Sequence, residues 1–130
     1  MDAERIDHVN LRIPADSVED AVHFYRDVLG FEPEKLDLYR DGERTSFAFR
    51  IADTAMLHVR PVDDFREPGA ENYDHLCIVV DTPLDELKQL LEEHGVDIDR
   101  EGTPWGSTGR APAVYVTDPF GYTIELKTTD

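Results

Sequence analysis

The chain has one cysteine, three lysines and no long apolar run among its 130 residues. A lone Cys77 rules out an intrachain disulfide, and nothing asks for an oxidising compartment; its place in an apolar run predicts a buried thiol. Lys35, Lys88 and Lys127 are the only lysines, and 13 basic residues against 29 acidic ones leave a net charge of −16. Such a surface repels phosphate backbones, which argues against a nucleic-acid partner. No segment approaches the ~18 apolar residues of a membrane span, and Met1-Asp2-Ala3-Glu4-Arg5 leads into a polar strand rather than a signal-peptide core. These absences predict a soluble, cytoplasmic protein with no membrane partner. The acidic excess with few lysines reads as adaptation to concentrated salt, where carboxylates keep a surface hydrated; recruitment of a cationic ligand is the alternative.

What the chain does have is an internal repeat. His8 lies 67 residues before His75, and His58 lies 67 before Glu125. Ile6-Asp7-His8-Val9-Asn10-Leu11 reads like Tyr73-Asp74-His75-Leu76-Cys77-Ile78. The halves therefore look like copies of one unit. Modules of about 60 residues are marginal alone, so they should share a core or complete one another in a dimer.

Residues 6–13 alternate, with Val9, Leu11 and Ile13 on one face and His8, Asn10 and Arg12 on the other. Asp16 or Ser17 can cap a helix whose Val18, Ala21, Val22, Tyr25, Val28 and Leu29 fall at helical spacing before Gly30. His23 lies off that stripe and reads as solvated. Strands are predicted at Phe31–Tyr39, Thr45–Ile51 and Ala55–Arg60, with Asp41-Gly42 as a hairpin turn. In the second half, Tyr73–Asp81 reads as a strand and Pro83 opens a helix carrying Leu84, Leu87, Leu90 and Leu91, closed by Gly95. His94 falls in its last turn. Further strands are predicted at Val96–Asp99, Ala113–Thr117 and Tyr122–Thr128, the last two joined by an Asp118-Pro119-Phe120-Gly121 turn. Each half reads βαβββ. The expectation is an α+β fold, one domain over 1–130 with modules at about 4–61 and 73–128, a linker at about 62–72, and a curved mixed sheet.

Alternation also aims the ligand candidates. His58 sits between Leu57 and Val59, His75 is followed by Leu76, Ile78 and Val80 on the other face, and Glu125 sits between Ile124 and Leu126. All four candidates thus face away from the apolar side, toward a common polar concavity. Three imidazoles and a carboxylate suit Zn²⁺, Ni²⁺, Co²⁺, Mn²⁺ or Fe²⁺ rather than Ca²⁺ or Mg²⁺. Such an ion polarises a carbonyl, acidifies the adjacent C–H and stabilises the resulting enediolate, with Glu125 as ligand and catalytic base.

The paired βαβββ pattern resembles the vicinal oxygen chelate superfamily, as do Asp-His on each first strand, Phe24-Tyr25 followed by Leu29-Gly30-Phe31, and Asp118-Pro119-Phe120-Gly121-Tyr122-Thr123-Ile124-Glu125. That superfamily includes glyoxalase I, methylmalonyl-CoA epimerase, extradiol dioxygenases, fosfomycin-modifying enzymes and bleomycin-binding proteins. The resemblance implies metal ligands at His8, His75 and Glu125. It puts His58 where bacterial-type glyoxalase I has glutamate and the epimerase glutamine. It further implies a homodimer whose sites join modules of two chains, and a small oxygenated substrate, a carbonyl compound or hemithioacetal, for a glyoxalase-like lyase or isomerase.

Three other readings stay open. Val114-Tyr115, Asp118-Pro119-Phe120-Gly121 and Glu125 match the closing part of the extradiol signature, but Gly106, Ser107 and Thr108 occupy the window where it needs a histidine. Arg110, with Arg12 and Arg60, offers cations for fosfomycin-type chemistry, while a bleomycin-resistance-like protein would hold a cationic drug in an acidic groove without metal. Phe47, Phe49, Trp105 and Tyr115 are pocket-lining candidates, though aromatics at strand spacing also serve as core.

Overall fold

The computed structural model describes residues 1–129 and shows the α+β fold of two βαβββ modules, each with its own four-stranded mixed sheet. The chain forms two compact units, one from Met1 to Arg66 and one from Glu67 onward.

In the first unit, β1 (His8–Pro14) pairs in parallel with β4 (Ala55–Val62), followed by β3 (Phe47–Ala52) and β2 (Glu32–Glu34) in the order β1-β4-β3-β2. Leu11, Ile13, Phe47, Phe49, Leu57 and Val59 are buried on one face. The apolar stripe of the first helix supplies Ala21, Val22, Phe24, Tyr25 and Val28 to the same core, where the Tyr25 and Phe49 rings lie 5.3 Å apart. That helix begins as α1 (Val18–Ala21) and continues as a π-helix over Val22–Val28. Ser17 stands at its N-cap without a capping bond, its hydroxyl donating to Asp16 instead. Gly30, at φ 83°, ends it.

The expected strand Phe31–Tyr39 is wrong beyond its start. Only Glu32–Glu34 pairs; Lys35 then turns the chain at φ 61°, and Leu36–Arg40 forms a short helix, α2, burying Leu36. Asp41-Gly42 consequently ends that helix rather than making a hairpin, with Asp41 N–H donating to the Asp37 carbonyl. Propensity favoured neither outcome strongly, and burial of Leu36 decided it.

In the second unit, β5 (Leu76–Val79) pairs in parallel with β10 (Thr123–Lys127), followed by β9 (Ala113–Thr117) and β6 (Arg100–Gly102). Helix α3 (Leu84–Glu93) starts after Pro83, buries Leu87 and Leu91, and ends before Gly95 at φ 69°. His94 Nδ1 lies 2.9 Å from the Leu90 carbonyl. The strand expected at Val96–Asp99 forms instead at Arg100–Gly102, and a small hairpin of β7 (Trp105–Gly106) and β8 (Gly109–Arg110) forms where no strand is predicted. Leu76, Ile78, Val114, Val116, Ile124 and Leu126 share the apolar face.

The Asp118–Gly121 turn joins β9 to β10. The buried Asp118 carboxylate accepts 2.9 Å bonds from the N–H groups of both Phe120 and Tyr122, and Gly121 adopts φ 97°. Asp118→Ala would orphan two donors in a dry turn and should lower unfolding free energy by about 3 kcal/mol. Chemical denaturation checks this against Asp16→Ala on the surface, expected to cost under about 0.5 kcal/mol.

Candidate metal centre

Register places the ligand candidates in two pairs. In the first unit Asn10 lies opposite His58 and His8 opposite Met56, so His8 and His58 share the polar face. Their rings stack with centroids 4.1 Å apart and planes 15° from parallel. The His8 Nδ1 lies 2.7 Å from an Asp7 carboxylate oxygen, which leaves its Nε2 as the available donor. His58 Nε2 is buried and has no hydrogen-bond partner among the described residues. Desolvation, then the His8 and Arg44 charges, hold the His58 pKa below its ordinary value, which favours the neutral imidazole a metal needs.

The second unit repeats the arrangement with a carboxylate. His75 Nδ1 lies 2.5 Å from Asp74, and His75 Nε2 lies 2.9 Å from Glu125 Oε2. Glu125 is buried, with its side chain 5% exposed. Strand pairing sets Cys77 on one side of it and Tyr115 on the other, and Tyr115 faces Arg100 in turn. The Arg100 guanidinium carbon lies 3.9 Å over the Tyr115 ring, and the His75 ring meets the same ring edge-on. Burial, followed by the Glu125 charge, raises the Tyr115 hydroxyl above its usual pKa, against the lowering effect of Arg100.

The donors are of a type that fits a borderline divalent ion: imidazoles, of which His8 and His75 have their far side held by an aspartate, and the Glu125 carboxylate. Among the described residues no group of three or more His, Cys, Asp or Glu side chains gathers as a metal set. The structure thus brings His8 to His58 and His75 to Glu125.

The weaker candidates scatter. Arg12 lies opposite Arg60 on the His8 face, where Arg60 donates to the Thr45 hydroxyl at 3.1 Å. Tyr115 is beside Glu125. Phe47 and Phe49 belong to the apolar face, because Ala48 between them is the residue opposite His58. Trp105 is 78% exposed on the hairpin, opposite Arg110, whose guanidinium donates to the Thr103 carbonyl. Sequence reasoning missed Arg100 and gave Asp7 and Asp74 no role, although the repeated Asp-His pair was itself the signal. It also missed that Cys77 is exposed, since its strand turns the thiol to the polar face beside Glu125.

The sequence matches the family described as Glyoxalase/Bleomycin resistance protein/Dioxygenase superfamily over residues 5–126. A virulence protein of Salmonella typhimurium is 26% identical over 125 residues, spanning 95% of this chain and 83% of that protein. The solved structure of an integron cassette protein from the mobile metagenome of V. cholerae superposes with a TM-score of 0.76 at 26% identity, covering 100% of this chain and 98% of the other. A lactoylglutathione lyase from Agrobacterium tumefaciens shares the fold at a TM-score of 0.67 and 23% identity, with 98% and 95% of the two chains covered.

The Cys77 environment gives a direct test of the second pair. Partial desolvation of the thiol and the adjoining Glu125 carboxylate push its pKa up to about 11. At pH 8 that leaves about a hundredfold less thiolate than an ordinary cysteine, so iodoacetamide should label this exposed residue slowly. Glu125→Gln removes the opposing charge and should speed labelling several-fold. Labelling of the unmodified chain at a free-thiol rate would contradict this environment of Cys77, and no change in Glu125→Gln would contradict the closeness of Glu125 to the thiol.

Proposed function

From the chain's membership of the glyoxalase/bleomycin resistance protein/dioxygenase superfamily, we propose that it is a divalent-metal-dependent lyase or isomerase of the glyoxalase type. The observation that carries this reading is the repeated pair: His8 and His75 oriented by Asp7 and Asp74, His58 Nε2 buried and without a hydrogen-bond partner among the described residues, and Glu125 beside His75. An unpaired buried polar atom is costly, and a metal is one way to satisfy it. His8, His58, His75 and Glu125 would hold Zn²⁺, Ni²⁺, Co²⁺, Mn²⁺ or Fe²⁺, which when bound supplies Lewis acidity toward substrate oxygens.

The chain's own residues then do the proton work. Glu125 Oε2 accepts the proton from the carbon next to a substrate carbonyl and returns it to the neighbouring carbon, so no net oxidation occurs. His75 lies beside that carboxylate as its fellow candidate ligand, and burial of Glu125 limits competition from water. The Arg100–Tyr115 stack braces the other side of the carboxylate. The substrate of this reading is a small oxygenated molecule, a carbonyl compound or hemithioacetal.

Glu125→Gln should lose at least about a hundredfold in turnover while metal affinity falls far less, since an amide still coordinates weakly but cannot take the proton. Metal analysis beside assays of methylglyoxal–thiol adducts under anaerobic conditions measures both. Oxygen consumption with a catechol by the iron-loaded protein, with the zinc, nickel and cobalt forms inert toward every adduct, would instead favour ring cleavage.

We place the two pairs together in a homodimer, His8 and His58 from one chain with His75 and Glu125 from the other. Each pair by itself offers two donors, fewer than the four a tetrahedral zinc-like ion takes. Mixing equal amounts of His8→Ala and Glu125→Ala protein should then regain up to roughly a quarter of normal activity through hybrid dimers carrying one intact site. No recovery after verified subunit exchange would place the site within a chain.

A further inference from the structure

The polar face of the first unit is unusually basic for this chain. Arg12, Arg50 and Arg60 lie on its strands and Lys35 and Arg44 beside them, five of only 13 basic residues in a protein of net charge −16. Three of these cations border one cavity. It has a volume of about 150 Å³ and is lined by Glu34, Lys35, Arg44, Arg50 and His58 together with apolar Phe47, Ala48 and Met56.

The lining is not equally engaged. Arg50 is neutralised by Glu34 through contacts of 2.6 and 3.2 Å. Arg44 donates from Nε to the Ser46 carbonyl at 3.2 Å. Among the described residues neither Lys35 nor Arg44 joins an ion pair, although acidic residues outnumber basic ones more than twofold. Lys35 is also the one non-glycine residue with positive φ among the described residues, a conformation that costs on the order of 1 kcal/mol for a side chain with a Cβ. The space itself has a plain cause: Ala48 stands opposite His58, whereas the equivalent position in the second unit, 67 residues on, is Tyr115, which fills the place opposite Glu125.

We propose that this cavity seats an anionic head group of the substrate, a carboxylate or a phosphate, between Lys35 and Arg44. The apolar walls from Phe47, Ala48 and Met56 take the adjoining carbon atoms. At about 150 Å³ the space suits a small acid or the head of a longer molecule, not a whole drug-sized ligand. A guanidinium and an ammonium beside a low-dielectric wall bind an anion more tightly than they would in open water. Because His58 lines the cavity and also stacks on His8, an anion held there lies next to the proposed metal donors. The substrate class thus narrows to oxygenated acids or phosphate esters, a step that rests on the metal-site reading only through His58.

Metal-free protein is titrated with inorganic phosphate and, separately, with acetate, at ionic strength held constant with sodium chloride, while NMR follows backbone and side-chain resonances. Saturable shifts at Lys35, Arg44, Ala48 and Met56 are expected with at least one anion, and the one that binds identifies the head group. Lys35→Gly and Arg44→Gln should each weaken binding about three- to fivefold, while Arg26→Gln, the same charge change on the helix, should not. Lys35→Gly retains the φ 61° turn without strain, so lost binding there is not lost folding. No saturable shift with either anion, or equal weakening by Arg26→Gln, overturns the proposal. Anion binding without metal uptake would overturn only the metal reading, and metal uptake without anion binding only this one.

Discussion

The parallel pairing of the first and last strand in each unit is the constraint on which the rest depends. A strand presents alternate residues to opposite faces, so a slip of one residue would turn His58 or Glu125 into the core and an apolar neighbour outward. The observed register, Asn10 opposite His58 and Cys77 opposite Glu125, avoids this. It holds because Leu57 and Val59 in one unit, and Ile124 and Leu126 in the other, are fully buried on the opposite face. Exposing any one of those side chains would forfeit about 2 kcal/mol, far more than an exposed polar contact returns.

The same register carries the repeat beyond the four ligand candidates. Across the first sheet one row runs Asn10, His58, Ala48, Glu34; across the second it runs Cys77, Glu125, Tyr115, Arg100. The 67-residue offset relates the first three members of each row. Duplication conserved the geometry while the chemistry diverged. In the second unit the large Tyr115 and its Arg100 partner pack the row and leave Glu125 buried. In the first, small Ala48 leaves the row open at a cavity rimmed by cations. One half is built around a carboxylate and the other around space.

Electrostatics divides along the same line. The overall charge of −16 describes the surface as a whole and says little about its parts. Arg12, Arg44, Arg50, Arg60 and Lys35 are far apart in sequence, and only the strand order β1-β4-β3-β2 gathers them on one side of one sheet. Local charge at one face can therefore oppose the average.

The sequence by itself determined the two βαβββ units, the helices ending at Gly30 and Gly95, the Asp118–Gly121 turn and the faces on which His8, His58, His75 and Glu125 lie. Those follow from local rules: side-chain period, positive-φ glycine and a carboxylate two residues from the amide it accepts. Tertiary structure decided what local rules leave degenerate. The helix at Leu36–Arg40, the displaced strand at Arg100–Gly102 and the hairpin at Trp105–Arg110 depend on which neighbour a segment meets. Phe47 and Phe49 became core because their strand pairs through Ala48, and Cys77 reached the polar face because its partner is Glu125. The grouping of Lys35 and Arg44 around His58 had no sequence signal either, since loop cations carry no periodicity and their meeting is a property of the sheet's order alone.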